Sequence, residues 1–202
     1  MNSLKNIHHD RYKIDSIQYS KYLIKDCSAK KKEFTQDKSK EKAINIQNIG
    51  YIGLYYNGNP LIYVTTPIMT CLFGMDKNTK QMSLQFKDVE TDSSMKGFFN
   101  FIKGIEINNM INLGITEEKD YDKYGSQIKY DKNGKYDPNL LVKIPFDKNR
   151  YEVDVFNDEK DNINIYYINN FTRMQCDIYI DKIWKYNEVF YCKWKARKIY
   201  LV

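Results

Sequence analysis

The stretch Tyr51 to Gly74, YIGLYYNGNPLIYVTTPIMTCLFG, carries the clearest fold signal in the chain. Two β-rich runs, Tyr51 to Tyr56 and Leu61 to Thr66, flank Asn57-Gly58-Asn59-Pro60. Asn-Gly tolerates the positive φ angles of a tight turn, and Tyr, Ile, Val and Thr suit a pleated, half-buried surface, so the pattern predicts a β-hairpin. Pro67 cannot donate a ladder hydrogen bond, which ends the second run at Thr66 and sends the chain toward Phe73-Gly74 as a rim loop.

Downstream, MSLQF places Met82, Leu84 and Phe86 on one face and Ser83 and Gln85 on the other, the alternation of a half-exposed strand. Asp92-Ser93-Ser94 offers N-cap residues. Met95, Phe98, Phe99, Ile102 and Ile105 follow at helical spacing as far as Gly114, predicting one amphipathic helix over about residues 93–113 packed on a sheet. Gly97 and Gly104, seven apart, let that helix approach closely. LVKIPF reads as a strand with Leu140, Val142, Ile144 and Phe146 inward. Tyr151 to Phe156 and Ile163 to Ile168 read as another strand pair across NDEKDN.

The last two strands bear most on function. CDIYIDKIW runs to Trp184, the chain turns at Lys185 to Glu188, and VFYCKWKARKIYLV returns. Phe190, Cys192, Trp194 and Ala196 share one parity, and Tyr191, Lys193, Lys195 and Arg197 the other. With the apolar set inward, one aromatic and three cations line the open face. Single-stranded nucleic acid asks for such a surface, cations following phosphates while rings stack on bases. An ordinary solvated sheet face is the competing reading.

The 202 residues carry a formal net charge of +6, unevenly placed. Residues 1–49 hold 11 Lys/Arg against 6 Asp/Glu, residues 182–202 hold 6 against 1, and the stretch between holds 15 against 19. Basic ends suit a polyanion. The lysine-rich run SAKKKEFTQDKSKEK, between Cys27 and Lys42, reads as an exposed loop or solvated helix that could touch phosphates. Ile7, Tyr12, Ile14, Ile17 and Tyr19 suggest a first strand or short ordered arm. Cys27, Cys71, Cys176 and Cys192 lie far apart without a CxxC pair, so reduced, mostly buried thiols are expected, with no disulfide, metal or other cofactor. His8 and His9 are the only histidines. With no Walker A loop, GxGxxG, HExxH or GxSxG in the sequence, no enzyme is expected. No apolar run is long enough to cross a bilayer, and the first residues lack the apolar core of a signal peptide, so a soluble, intracellular protein is expected.

The order of YIGLYYNGNPLIYVTTPIMTCLFG, the MSLQF strand, the FFNFIKGIE helix, YDKNGKYDPNLLVKIPF and IYIDKIWKYNEVFYCKWKARKIYLV resembles that of the OB-fold single-stranded-DNA-binding proteins of nucleocytoplasmic large DNA viruses, relatives of the podophage proteins of that function. The resemblance covers about residues 50–202. It implies a mainly β, OB-fold-like five-stranded barrel with extra strands and one packed helix, preceded by a basic arm over 1–49 that is partly ordered at most. It also implies a non-enzymatic protein that coats single-stranded DNA during viral replication, recombination or repair, located for a virus at a replication site in the host cytoplasm. RNA and self-association stay open as further partners, and no membrane is involved. The DNA-binding residues it implies are Tyr130, Lys143, Tyr191, Lys193, Lys195 and Arg197, with Lys129 and Arg150 as additions. Trp184 could stack on a base or lie in the core, and Trp194 belongs to the core by parity. The podophage relatives carry an acidic tail that engages replication partners, whereas this sequence ends in the basic KARKIYLV, so recruitment through a tail is not expected. A structural or protein-interaction module, such as a virion component on a β-scaffold, is the alternative function.

Overall fold

Apolar residues at alternate positions build most of the core from strands. In the computed structural model, which describes residues 8–24 and 49–202, Met82, Leu84 and Phe86 all point inward from β6 (Gln81–Gln85) and its end. Leu140, Val142 and Ile144 do the same along β8 (Asn139–Lys143). The chain is mainly β with an OB-like barrel. Five strands close it in the order β5 (Met69–Cys71), β6, β8, β16 (Trp194–Leu201), β13 (Thr172–Ile180), and back to β5. All these pairings are antiparallel except the closing contact of β16 with β8, where Trp194 opposes Val142 and Lys195 opposes Lys143.

The expected hairpin is overturned. The turn itself forms, with Asn57 at φ 50°, Gly58 at φ 77° and Tyr56 bridged to Asn59. The flanking strands, however, do not pair with each other. β3 (Gly50–Tyr55) pairs with β14 (Lys182–Tyr186), and β4 (Ile62–Thr65) pairs with β13. Since β13 and β14 are separated only by Asp181, β3 and β4 lie end to end along one long bent ribbon, and residues 56–61 form an excursion from it. Local turn chemistry fixes a reversal, but pairing follows the longer partner, whose buried Ile178, Ile180 and Ile183 need covering along their whole length.

A second, smaller sheet grows from this ribbon. β14 turns through Asn187 and Glu188, both at positive φ, into β15 (Val189–Tyr191). On the far side of β3 the N-terminal segment adds β1 (Gln18–Tyr19) and β2 (Leu23–Ile24) as an edge. The final strand is therefore not continuous: Cys192 and Trp194 are both buried where the chain leaves the small sheet and enters the barrel.

The helix α1 (Ser93–Asn112) matches its signals, with Asp92 accepting hydrogen bonds from the Ser94 and Met95 amides and Gly114 at φ 73° beyond its end. Gly97 and Gly104 do not face the sheet as the sequence suggests. The His9 ring lies over Gly97 and Ile14 over Gly104, so the glycines seat the N-terminal segment instead. Asn108 and Asn109 bond Tyr19, fixing the same segment further along. The Lys-rich run 27–42 and Cys27 lie outside the described residues; Cys71, Cys176 and Cys192 are buried thiols.

Two other readings change. Pro145 ends β8, and Phe146 turns outward, 38% exposed, to begin a small hairpin of β9 (Phe146–Asp147) and β10 (Arg150–Tyr151). β11 (Asp154–Phe156) does pair with β12 (Asn162–Ile163), but Ile165–Tyr167 is a 3-10 turn.

One buried carboxylate ties the helix to the barrel. Glu106 accepts hydrogen bonds from Ser126 Oγ (2.7 Å) and the Gln127 amide (2.6 Å). Replacing it with Ala leaves the Gln127 amide unsatisfied, while Ser126 Oγ keeps the Ile128 carbonyl (3.0 Å), and should lower stability by about 1–3 kcal/mol in chemical denaturation. An unchanged midpoint would show that water satisfies the amide. Burial pushes the Glu106 carboxyl up, only partly opposed by these bonds. A carboxyl held up in the fold binds its proton more tightly there, so its contribution to stability falls as pH rises from the ordinary carboxyl range through the raised value.

Candidate nucleic-acid interface

The outward face of the small sheet carries a row of directly opposed residues. Leu23 faces Tyr51, Tyr51 faces Trp184, and Trp184 faces Tyr191 across β2, β3, β14 and β15. Alternation explains why these side chains share a face: Lys182 and Trp184 lie on one side of β14, and the buried Ile183 on the other. The Tyr51 and Trp184 rings are 5.3 Å apart, and Lys182 Nζ stands 4.7 Å from the first and 5.4 Å from the second. Tyr191 rests on Gly125, where any side chain would collide with its ring, and Lys193 Nζ stands 5.5 Å above it. These three half-exposed rings form a ladder with cations at its edge.

A lysine cluster adjoins the ladder. Lys143 ends β8 and donates from Nζ to the Thr79 carbonyl (2.6 Å). Burial holds its ammonium below the usual lysine range, and the charges of Lys193 and Lys80 lower it further. Three like charges thus meet where the β5–β6 loop, β8 and the β15–β16 joint converge. The loop is shaped by Asp76, whose carboxylate accepts from the Asn78 and Thr79 amides and from Thr79 Oγ1; these bonds hold its carboxyl below the usual range. Its turn positions Lys77 and Lys80.

Beyond Lys80 opens a cleft of about 560 Å³ between that loop, the β9–β10 hairpin and residues 163–166. Lys77, Lys80 and Arg150 line it with Phe146, Tyr151 and Tyr166, and no carboxylate is among its lining residues. Lys77 Nζ lies 4.6 Å from the Tyr166 ring and Lys80 Nζ 4.8 Å from the Phe146 ring.

A fourth part runs across the barrel. Tyr63, Tyr179, Lys195 and Lys143 oppose one another in succession on β4, β13, β16 and β8. Tyr63 and Tyr179 stack with centroids 6.4 Å apart, and Lys195 donates to Asp181 Oδ1 (2.7 Å). A β-bulge between Asp177 and Ile178 leaves Arg197 without a register partner, exposed, its guanidinium 5.6 Å from the Tyr63 ring.

Of the residues implicated from sequence, Lys143 and Lys193 meet in the cluster, Tyr191 joins the ladder, and Arg150 lies in the adjoining cleft. Lys195 and Arg197 belong to the barrel row, so the open face expected from Tyr191 to Arg197 is split between two sheets. Tyr130 is elsewhere, 60% exposed beside Asp88, Glu90 and Asp137, in surroundings unsuited to phosphate. Lys129, exposed on β7 (Ile128–Lys129), lies next to it. Sequence reasoning did not single out Tyr51, Lys182, Lys77, Lys80, Tyr63 or Tyr179. Only the period-2 pairing of Lys182 with Trp184 was available as a local signal.

No protein-family profile matches the chain, and no curated protein matches it. The chain resembles a solved fold. A single-stranded-DNA-binding protein from bacteriophage Enc34 aligns with a TM-score of 0.47 and 11% identity, over 74% of this chain and 83% of that one. The same phage protein in complex with single-stranded DNA aligns with a TM-score of 0.45 and 11% identity, over 74% and 89%. Its C-terminal truncation gives 0.45 and 12%, over 74% and 88%.

Because Lys195 is already paired with Asp181 whereas Lys193 stands in the like-charged cluster, Lys193→Gln should weaken binding to an oligo-dT strand severalfold more than Lys195→Gln. Anisotropy titrations of both variants check this. The reverse ranking would move the site onto the barrel row.

Proposed function

We propose that this protein binds single-stranded DNA with little sequence preference and without catalysis. The observation that carries the reading is the ladder of Tyr51, Trp184 and Tyr191 abutting the cluster of Lys80, Lys143 and Lys193. Rings stack on bases of any identity while the cations follow phosphates, and OB barrels use the loops that correspond to the β5–β6 loop and the β13–β16 connection for oligonucleotides. The cluster fits a polyanion for a second reason. The Lys143 ammonium is disfavoured by burial and by the charges of Lys193 and Lys80, and a phosphate beside it relieves that repulsion.

The wider setting we propose is the coating of DNA during replication, recombination or repair in a nucleocytoplasmic large DNA virus, at its replication site in the host cytoplasm; the sequence resemblance supports this. Self-association along the strand and binding to RNA belong to the same proposal. No helix among the described residues is long and apolar enough to cross a membrane.

The test is a titration with oligo-dT and with duplex of equal length at low and moderate salt. Tight, salt-sensitive binding to the single strand is expected. The second reading is a protein-interaction module, which the exposed Phe73 (70%) and Phe171 (69%) favour; the Phe171 amide donates to the Cys71 carbonyl, two residues before Phe73. Size-exclusion chromatography after nuclease treatment separates the two. Loss of copurifying nucleic acid supports the first, and a discrete assembly indifferent to nuclease supports the second.

A further inference from the structure

We infer that a pocket between the N-terminal segment and the 56–61 excursion takes a single nucleotide, its base against Tyr12 and Tyr56 with the buried Tyr63 behind them, and its phosphate toward Arg11. In the proposed function this nucleotide belongs to the bound strand; that assignment rests on the single-strand reading, whereas the pocket does not.

The pocket, about 320 Å³, is lined by Arg11, Tyr12, Tyr56, Asn57, Asn59, Pro60, Leu61 and Tyr63. Ligand pockets run from about 300 to 1,000 Å³, so this one suits one nucleotide rather than two. It exists because the 56–61 excursion leaves the line of β3 and β4, and the chain at Arg11 and Tyr12 closes its other side.

Its aromatic walls are fixed before any ligand arrives. Tyr12 donates from its hydroxyl to the Tyr63 carbonyl (2.6 Å) and accepts from the Tyr63 amide (3.0 Å). Tyr56 donates to the Arg11 carbonyl (3.2 Å) and accepts from the Lys13 amide (3.1 Å). The two rings meet edge to face at 4.8 Å. With both hydroxyls bound to backbone, neither ring needs ordering when a base packs against it.

The polar groups also match a nucleotide. Asn57 and Asn59 carry amides that donate and accept, as base edges require. Arg11 offers a fork that suits phosphate, and no carboxylate lines the pocket.

The pocket is continuous with the proposed interface through Tyr63, which stands beneath Arg197 and stacks on Tyr179. From Tyr63 the barrel row leads over Tyr179 and Lys195 to Lys143, three strand spacings or about 14 Å away. A strand held at the lysine cluster can thus place one base in this pocket.

The test is an amide NMR titration of the full chain with dTMP and with dGMP, repeated on Leu61→Trp, which fills the pocket from a partly exposed position, and on Arg11→Glu, which sets a negative charge against the phosphate. Saturable shifts at Arg11, Tyr12 and residues 56–63 are expected in the unmodified chain and lost in both variants. Shifts confined elsewhere, or unaffected by either variant, overturn the inference. In parallel, Leu61→Trp should lower oligo-dT affinity about fivefold or more, the loss of one stacked base. Oligo-dT binding with a pocket silent to mononucleotides sinks this inference and spares the single-strand reading. A pocket that takes mononucleotides in a chain that ignores oligo-dT does the reverse.

Discussion

Replacing Trp184 and Tyr191 together by Leu is expected to weaken oligo-dT binding by about 30-fold or more while leaving the fold intact. Each ring that stacks on a base contributes about 1–3 kcal/mol, so two lost platforms amount to at least ~2 kcal/mol. Leu keeps an apolar body over Gly125 and against Tyr51, where both rings lie. Thermal melts and anisotropy titrations separate the two outcomes. A large drop in affinity with an unchanged melt supports the ladder as a stacking surface, and unchanged affinity makes it a structural cluster of the small sheet.

The second large effect concerns salt. Changing Lys80, Lys143 and Lys193 to Gln should reduce the slope of log affinity against log salt by about 2, from about 0.7 for each of three phosphate contacts on a single strand. Between 50 and 200 mM salt that slope corresponds to roughly a 20-fold share of the affinity loss. Folding stability should move the other way or not at all. The Lys143 ammonium is disfavoured by burial and by Lys193 and Lys80, and neutral side chains remove that repulsion. A triple variant that binds as before, with the same salt slope, would place the phosphates elsewhere. One that unfolds would make Lys143 a structural residue through its bond to the Thr79 carbonyl.

Where pattern is local, the sequence described this molecule well. Met82, Leu84 and Phe86, the helix capped by Asp92, the buried Trp194 and the turn at Asn57-Gly58 follow from alternation, capping or positive φ, each decided within a few residues. Pairing is not local. Nothing in YIGLYYNGNPLIYVTT says that its two strands share β13–β14 as a partner, because that depends on residues more than 100 positions away. The same limit hid the interface. Tyr51, Trp184 and Tyr191 become neighbours only through register, and Lys80 meets Lys143 and Lys193 only when the barrel closes. Parity set Lys193 and Lys195, both half-buried, on the side away from the core, but did not show the bend at Cys192 that parts Tyr191 from Lys195, nor the Asp181 that occupies Lys195. Tyr130 and Lys143 are near in sequence yet sit in acidic and basic surroundings respectively, a difference set by which loops fold beside them.

The most direct measurement is the intrinsic tryptophan fluorescence of the protein titrated at low salt with oligo-dT and with duplex DNA. Trp194 is 1% exposed in the core, whereas Trp184 stands half-exposed in the ladder, so a base stacking there reports through Trp184. Saturable, salt-sensitive quenching by the single strand, weak with duplex and absent in Trp184→Phe, is the predicted result. Equal or greater affinity for duplex, or quenching that survives Trp184→Phe, would contradict the account.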